Sequence, residues 1–284
     1  MAFPIPDPWN RDTADVLRDE DKRVRSPGSF FYSQGRNHVL AANYFHDDRL
    51  VATARGGVAL KHRHRIHLAL FGQLMASFEF FLKDFVATAV DSSSLLDSRI
   101  LKEKWLETDT SRLLANRSGT ATLGSMLVHS TLGWHSPSQV NERYAKLFQF
   151  QPFETSEIET LDKLWVLRHS VAHNAGMIIH YDATRIGNEG LAEHAADIDA
   201  EFISQTFDFL SSLAKKICEE GGDKLLRMYF TPLVARGANY QTDKTIYQNL
   251  WYLSAYLESR AQDLPVLKAE DYASDFEEYS APVG

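Results

Sequence analysis

The chain has very little cysteine: Cys218 is the only one among 284 residues. A lone thiol forms no internal disulfide, and a reducing, cytoplasmic setting is expected. Long apolar runs are also missing. No stretch approaches the roughly 20 residues needed to cross a bilayer, so no membrane span is expected. The N-terminal stretch MAFPIPDPWNRD has no basic region followed by an apolar run, so no signal peptide is expected either. Basic excess is absent too, with a formal net charge of −8. That balance argues against a broad, non-specific nucleic-acid grip and leaves room for a local basic site.

Hydrophobic residues make up 44% of the chain, enough for a sizeable core. The patterning predicts a mainly α protein. Residues 1–60 carry Pro4, Pro6, Pro8 and several turn signals. They read as an irregular arm with a short helix and a strand. From Lys61 to Ala89, residues Phe71, Leu74, Met75, Phe78, Phe81, Leu82, Phe85 and Val86 form one apolar helical stripe. Glu79 and Lys83 make an i,i+4 pair on its other face. Shorter helices are expected over Asp97–Glu107, Ser111–Leu132 and Ser138–Phe148. The next helix runs from Glu157 to Asn174, with Ser156 and Glu159 at capping-box spacing and a stop at Asn174 and Gly176. An extended loop or hairpin follows. A helix from Asp197 or Asp199 to Glu219 is closed by Gly221–Gly222–Asp223, and a last helix covers Asp243–Ala261. The acidic tail, 269–284, reads as solvated and mobile. The organisation expected is an arm (1–60), a helical domain (61–220), a helical extension (221–268) and the tail.

The helix ending LWVLRHSVAHNAG, Leu164 to Gly176, contains the main anomaly. With about 100° per residue, Trp165, Arg168 and Ala172 fall within roughly 40° of Leu161. A permanent cation therefore sits in the apolar stripe, where a guanidinium is costly unless paired. Either an acid elsewhere in the chain pairs with it, or the stripe faces a cleft or interface where an anion belongs. Arg suits phosphate because its planar fork donates two parallel hydrogen bonds. His169 and His173 are four apart and share a face. Such a pair can hold zinc, but the metalloprotease pattern needs Glu after the first His, and Ser170 stands there. No third ligand lies nearby in sequence. KHRHRIH, Lys61 to His67, is a basic stretch in an acidic chain; Lys61, Arg63 and Arg65 are candidate RNA-phosphate contacts or simply a solvated helix start.

The Arg168–His173 segment, RHSVAH, resembles the R-x(4–6)-H signature of the HEPN superfamily, all-α domains that often act as ribonucleases. The residue after the Arg in that family is most often Asn; here it is His169. LMASFEFFLKDF, Leu74 to Phe85, resembles the family's early helix, with Glu79 in the place of its glutamate. The resemblance spans about residues 61–220 and implies a HEPN-like helical bundle with an N-terminal arm and C-terminal helices.

The resemblance further implies a two-fold homodimer whose partners each bring Arg and His to a shared cleft. It implies metal-independent endoribonuclease chemistry with no cofactor. His173 would take the proton from a ribose 2′-OH, which attacks phosphorus to leave a 2′,3′-cyclic phosphate. Arg168 would stabilise the phosphoryl charge. His169 would protonate the leaving 5′-oxygen or hold the backbone. Toxin or anti-phage roles, with an antitoxin or nucleotidyltransferase partner, belong to the same expectation. Two other readings stand beside it: an inactive RNA-binding or dimerisation module, and a metal-dependent hydrolase using His169 and His173. On an ideal helix Arg168 and His173 diverge by about 140°. One phosphate meets both only if the helix end bends or a second copy supplies one of them.

Overall fold

The computed structural model describes residues 26–46, 57–106, 108, 110–117, 119, 121–128, 133–235 and 244–256. They are mainly helical, as the patterning predicts. Two long helices form the frame: α1 (Pro27–His46) packs along α2 (Gly57–Ser92). Short turns follow, α3 (Asp97–Ile100), α4 (Thr110–Ala115) and α5 (Leu123–Val128). Next come α6 (Pro137–Phe148), α7 (Thr155–His173) and the short α8 (His180–Ile186). The 36-residue α9 (Ala200–Ala235) and α10 (Lys244–Ser254) complete it. Among the described residues, no helix is long and apolar enough to cross a membrane.

The α2 stripe is the spine of the core. All eight of its predicted members, from Phe71 to Val86, are buried. Each large side chain removed from water contributes about 1.5–3 kcal/mol. Phe31 of α1 lies against Phe78 and Phe81, with ring centroids 5.5 and 5.6 Å away. From the far side, α9 contributes the expected Ile203, Phe207, Leu210, Leu213, Ala214 and Ile217, all buried. Asp199 opens α9 by accepting the Phe202 amide at 2.8 Å. Cys218 is buried on the same helix, and burial pushes its thiol well above the ordinary range.

Several expectations differ from the structure. Residues 27–46 of the arm form a continuous helix, because Phe31, Gly35 and Ala42 bury one side against α2 and α9. Residues 1–25 and 47–56 lie outside the described residues, as does the tail. The helix expected over 97–107 is one α turn followed by a 3-10 turn at Lys104–Leu106. Of the helix expected over 111–132, the described residues form two short pieces, with Gly119 at φ +69° between them. The cap of α7 lies two residues earlier than expected: Glu154 and Glu157 form the box, and the Glu154 amide donates to Glu157 Oε2 at 2.7 Å. Lys216 of α9 holds that carboxylate at 2.9 Å.

The largest difference is at Gly221 and Gly222, which do not end α9. They are points of close approach inside it. A Cβ at Gly221 would lie 2.7 Å from the Phe85 ring, and one at Gly222 would overlap Ser254 of α10. The helix therefore runs on past position 220, expected to be a domain boundary, and even contains Pro232.

Candidate functional site

Two contacts set the direction of α7. Near its middle, the Trp165 ring lies tilted against Phe78 of α2, with centroids 6.3 Å apart. Past its end, a Cβ on Gly176 would sit 2.8 Å from Leu68. Descending α7 thus means ascending α2 toward its N-terminus, so the two helices run antiparallel. Lys61–Arg65 lies one to two turns beyond Leu68, about 5–10 Å of helical rise. The basic stretch and the end of α7 therefore occupy the same end of the bundle. Lys61 and Arg65 are exposed there, and Arg63 is half-buried. His67 next to them is buried, with Nε2 3.2 Å from the Ala42 carbonyl, and burial lowers its pKa.

The buried side of α7 changes along its length. In the first half it is Leu161, Leu164 and Trp165; further on it is Val166 and Ser170. The apolar stripe predicted to continue through Arg168 and Ala172 does not: Ala172 is exposed and Arg168 only half-buried. The reason is α8, which packs on the opposite side of these last turns. Asp182, fully buried on α8, accepts the Ser170 hydroxyl at 2.9 Å and the Asn174 amide at 3.3 Å through Oδ2. Gly176, at φ +86°, donates its N–H to the Ser170 carbonyl at 3.0 Å and ends the helix where expected. The predicted loop or hairpin is α8 flanked by a short extended pairing, with Met177 opposite Ala195. Its local pattern was ambiguous, and burial of Asp182 and Ala183 against α7 selects the helix.

What remains open to solvent on the last two turns is Arg168, His169, Ala172 and His173. The imidazoles of His169 and His173 are exposed, with ring centroids 4.7 Å apart. Arg168 makes no hydrogen bond or ion pair with the described residues. Arg143 shows how this fold treats a structural arginine. It is 8% exposed, stacks 4.7 Å over Trp134 and 5.1 Å over Trp105, and donates to the Gly133 carbonyl at 3.2 Å. Arg168 has none of that support.

The structure does not bring Glu79 to this face. Glu79 pairs with Lys83 at 2.8 Å, as predicted, and accepts the Trp134 amide at 3.3 Å. Burial pushes its pKa up, but the Lys83 ammonium, the Trp134 amide and His135 outweigh that and lower it. Among the described residues, no third His, Cys, Asp or Glu joins His169 and His173 in a set suited to a metal ion. Asp182 was not singled out from the sequence. Its partners lie 8 and 12 residues upstream on another helix, and the one signal was an acid within the apolar MIIHYDA stretch.

Comparison with family models, with curated proteins and with solved structures finds no match to this chain.

Proposed function

We propose that the protein is a metal-independent endoribonuclease of the HEPN type. Its catalytic groups would be Arg168 and His173, with His169 beside them. The observation that carries this reading is the open face at the end of α7. There a half-buried guanidinium without an ion pair to the described residues shares two helical turns with two exposed imidazoles. Histidine is the side chain most often used as a general base. A guanidinium with no ion pair to the described residues can stabilise charge building on phosphoryl oxygens. In the proposed reaction His173 removes the 2′-OH proton and the 2′-oxygen bonds to phosphorus. The P–O5′ bond breaks, and a proton delivered by His169 or water leaves a 5′-OH beside the cyclic phosphate. The angular separation of Arg168 and His173 is bridged by a bend at the helix end or by a second copy, and the resemblance favours the second copy, so a two-fold dimer belongs to the proposal. Lys61, Arg63 and Arg65, at the same end of the bundle, would hold the RNA backbone. A toxin or anti-phage role, with an antitoxin or nucleotidyltransferase partner, follows from the resemblance alone.

The same separation favours a second reading, an RNA-binding or dimerisation module without chemistry. RNA cleavage in the presence of chelator decides between them. Wild type is compared with His173→Ala and Arg168→Ala, with product ends mapped. Cyclic-phosphate ends, and a loss of at least about a hundredfold in each variant, are expected. Cleavage that requires a divalent metal, equal cleavage in the variants, or RNA binding without cleavage overturns the ribonuclease reading.

A further inference from the structure

The short helix α8 carries an exposed pair that the chemistry above does not use. Tyr181, on its first turn, is 68% exposed, and the Arg185 guanidinium lies over its ring, 5.9 Å from the centre. That distance is at the outer limit of a cation–π contact, so Arg185 steadies the ring without covering it. Arg185 is itself exposed and makes no ion pair with the described residues. Asp182, between the two in sequence, points the other way, into its bonds with Ser170 and Asn174. Those bonds hold α8 against α7, so the Tyr181 ring stands on an anchored turn.

Helical geometry puts this pair on the same side of the molecule as the two histidines. On α7, Asp162, His169 and His173 share an arc of about 40°, centred about 80° back from Ser170. On α8, Tyr181 and Arg185 share an arc of about 40°, centred about 80° back from Asp182. Ser170 and Asp182 face each other across the seam. The two helices run antiparallel. Asp182 bonds to Ser170 and Asn174, whereas Arg185, one turn further along α8, acts on Asp162, two turns earlier on α7. Burial raises the Asp162 pKa, and the Arg185 charge offsets part of that rise. Equal rotations in the same sense lead to the same side of an antiparallel seam. Tyr181 and Arg185 therefore continue the surface of His169 and His173, displaced by one helix spacing of about 8–10 Å.

We propose that Tyr181 and Arg185 form a stacking subsite for single-stranded RNA, with one base on the open face of the Tyr181 ring and its flanking phosphate at Arg185. An aromatic ring accepts any base, because every base has a π-face, and the adjacent cation matches the backbone charge. A paired duplex hides those faces, so the subsite selects a single strand. A base held there positions the adjoining backbone over His169 and His173. That positioning role rests on the ribonuclease reading; the stack itself does not.

Fluorescence anisotropy of the full chain with short labelled 2′-O-methyl oligonucleotides reads the stack apart from cleavage, since such RNA has no free 2′-OH to attack phosphorus. Wild type is compared with Tyr181→Ala, Tyr181→Trp and Arg185→Ala, all at exposed positions where the fold tolerates change. Tyr181→Ala should weaken binding about tenfold or more, the scale of one lost base–aromatic stack. Tyr181→Trp should keep the wild-type affinity, which a structural role of the phenol would not give. Arg185→Ala should flatten the slope of log affinity against log salt by about 0.7. With cleavable RNA, the loss in Tyr181→Ala should lie in KM rather than kcat. Tyr181-dependent binding without any cleavage overturns the ribonuclease reading and supports the subsite. Binding that Tyr181→Ala leaves unchanged, a Tyr181→Trp variant as weak as Tyr181→Ala, or no RNA binding at all overturns the subsite.

Discussion

Ser170 donates its hydroxyl to the buried carboxylate of Asp182 at 2.9 Å, and this contact ties the end of α7 to α8. It draws one side of the last two turns inward and leaves Arg168, His169 and His173 on the other. Asn174 adds a second bond to the same oxygen at 3.3 Å. The exposure of the candidate site thus depends on an acid that contributes nothing to the site's surface.

Asp182→Ala should therefore destabilise the protein by about 1–3 kcal/mol, because it leaves the half-buried Asn174 amide without its acceptor and returns the Ser170 hydroxyl to the Val166 carbonyl at 3.3 Å. Urea unfolding measures it. Ser170→Ala also breaks the pair and should cost less, because the Asn174–Asp182 bond survives. Equal costs for the two would show that Asn174 adds nothing to the latch.

Gly222→Ala tests the close approach of α9 and α10. In an isolated helix this change gains about 1 kcal/mol. Here the new methyl meets the Ser254 backbone and Cβ, neither of which can swing away. The overlap should outweigh the propensity gain, giving net destabilisation of about 1–3 kcal/mol by thermal or urea unfolding. A stabilised variant would show that α10 moves freely against α9.

These two sites also show what the sequence made legible. The α2 stripe and the α9 stripe were readable because apolar periodicity reports burial directly. The end of α7 was readable because Asn174 and Gly176 act locally. Gly221–Gly222 was misleading because glycine has two uses, stopping a helix and letting helices touch, and only the partner helix distinguishes them. The α7 stripe failed at Arg168 and Ala172 for a similar reason. The pattern within one helix carries no information on α8 arriving from the other side. The candidate residues Arg168, His169 and His173 stood out by type and spacing. The exposure of His169 and His173, the lack of an ion pair from Arg168 to the described residues, and the role of Asp182 depended on tertiary contacts.

Asp84 predicts a pH dependence of stability. Burial first, and then the nearby Asp91 charge, raise its pKa from 3.8 to about 6. A carboxyl raised in the folded state favours folding while protonated. That contribution is complete below pH 3.8 and is lost as the pH rises to about 6. Above that, the folded protein carries a half-buried charge, at a cost of up to about 3 kcal/mol. Asp84→Asn should leave stability near pH 4 little changed and raise it at pH 8. Urea midpoints at the two pH values check this, and a variant equally affected at both would remove the charge as the cause.

The basic end of the bundle gives the last prediction. Lys61 and Arg65 are exposed on the first turns of α2, at the end where α7 terminates. If they hold an RNA backbone as proposed, each neutralises one phosphate and releases its counterion. The slope of log affinity against log salt should then fall by about 0.7 per residue for single-stranded RNA. Lys61→Ala with Arg65→Ala should weaken binding of all single-stranded sequences alike and flatten that slope by about 1.4. Fluorescence anisotropy between 50 and 200 mM salt resolves such a change. Arg63 is left intact because it is half-buried and its loss would mix folding with binding. An unchanged slope in the double variant would mean that this stretch is a solvated helix start and that RNA, if bound, lies elsewhere.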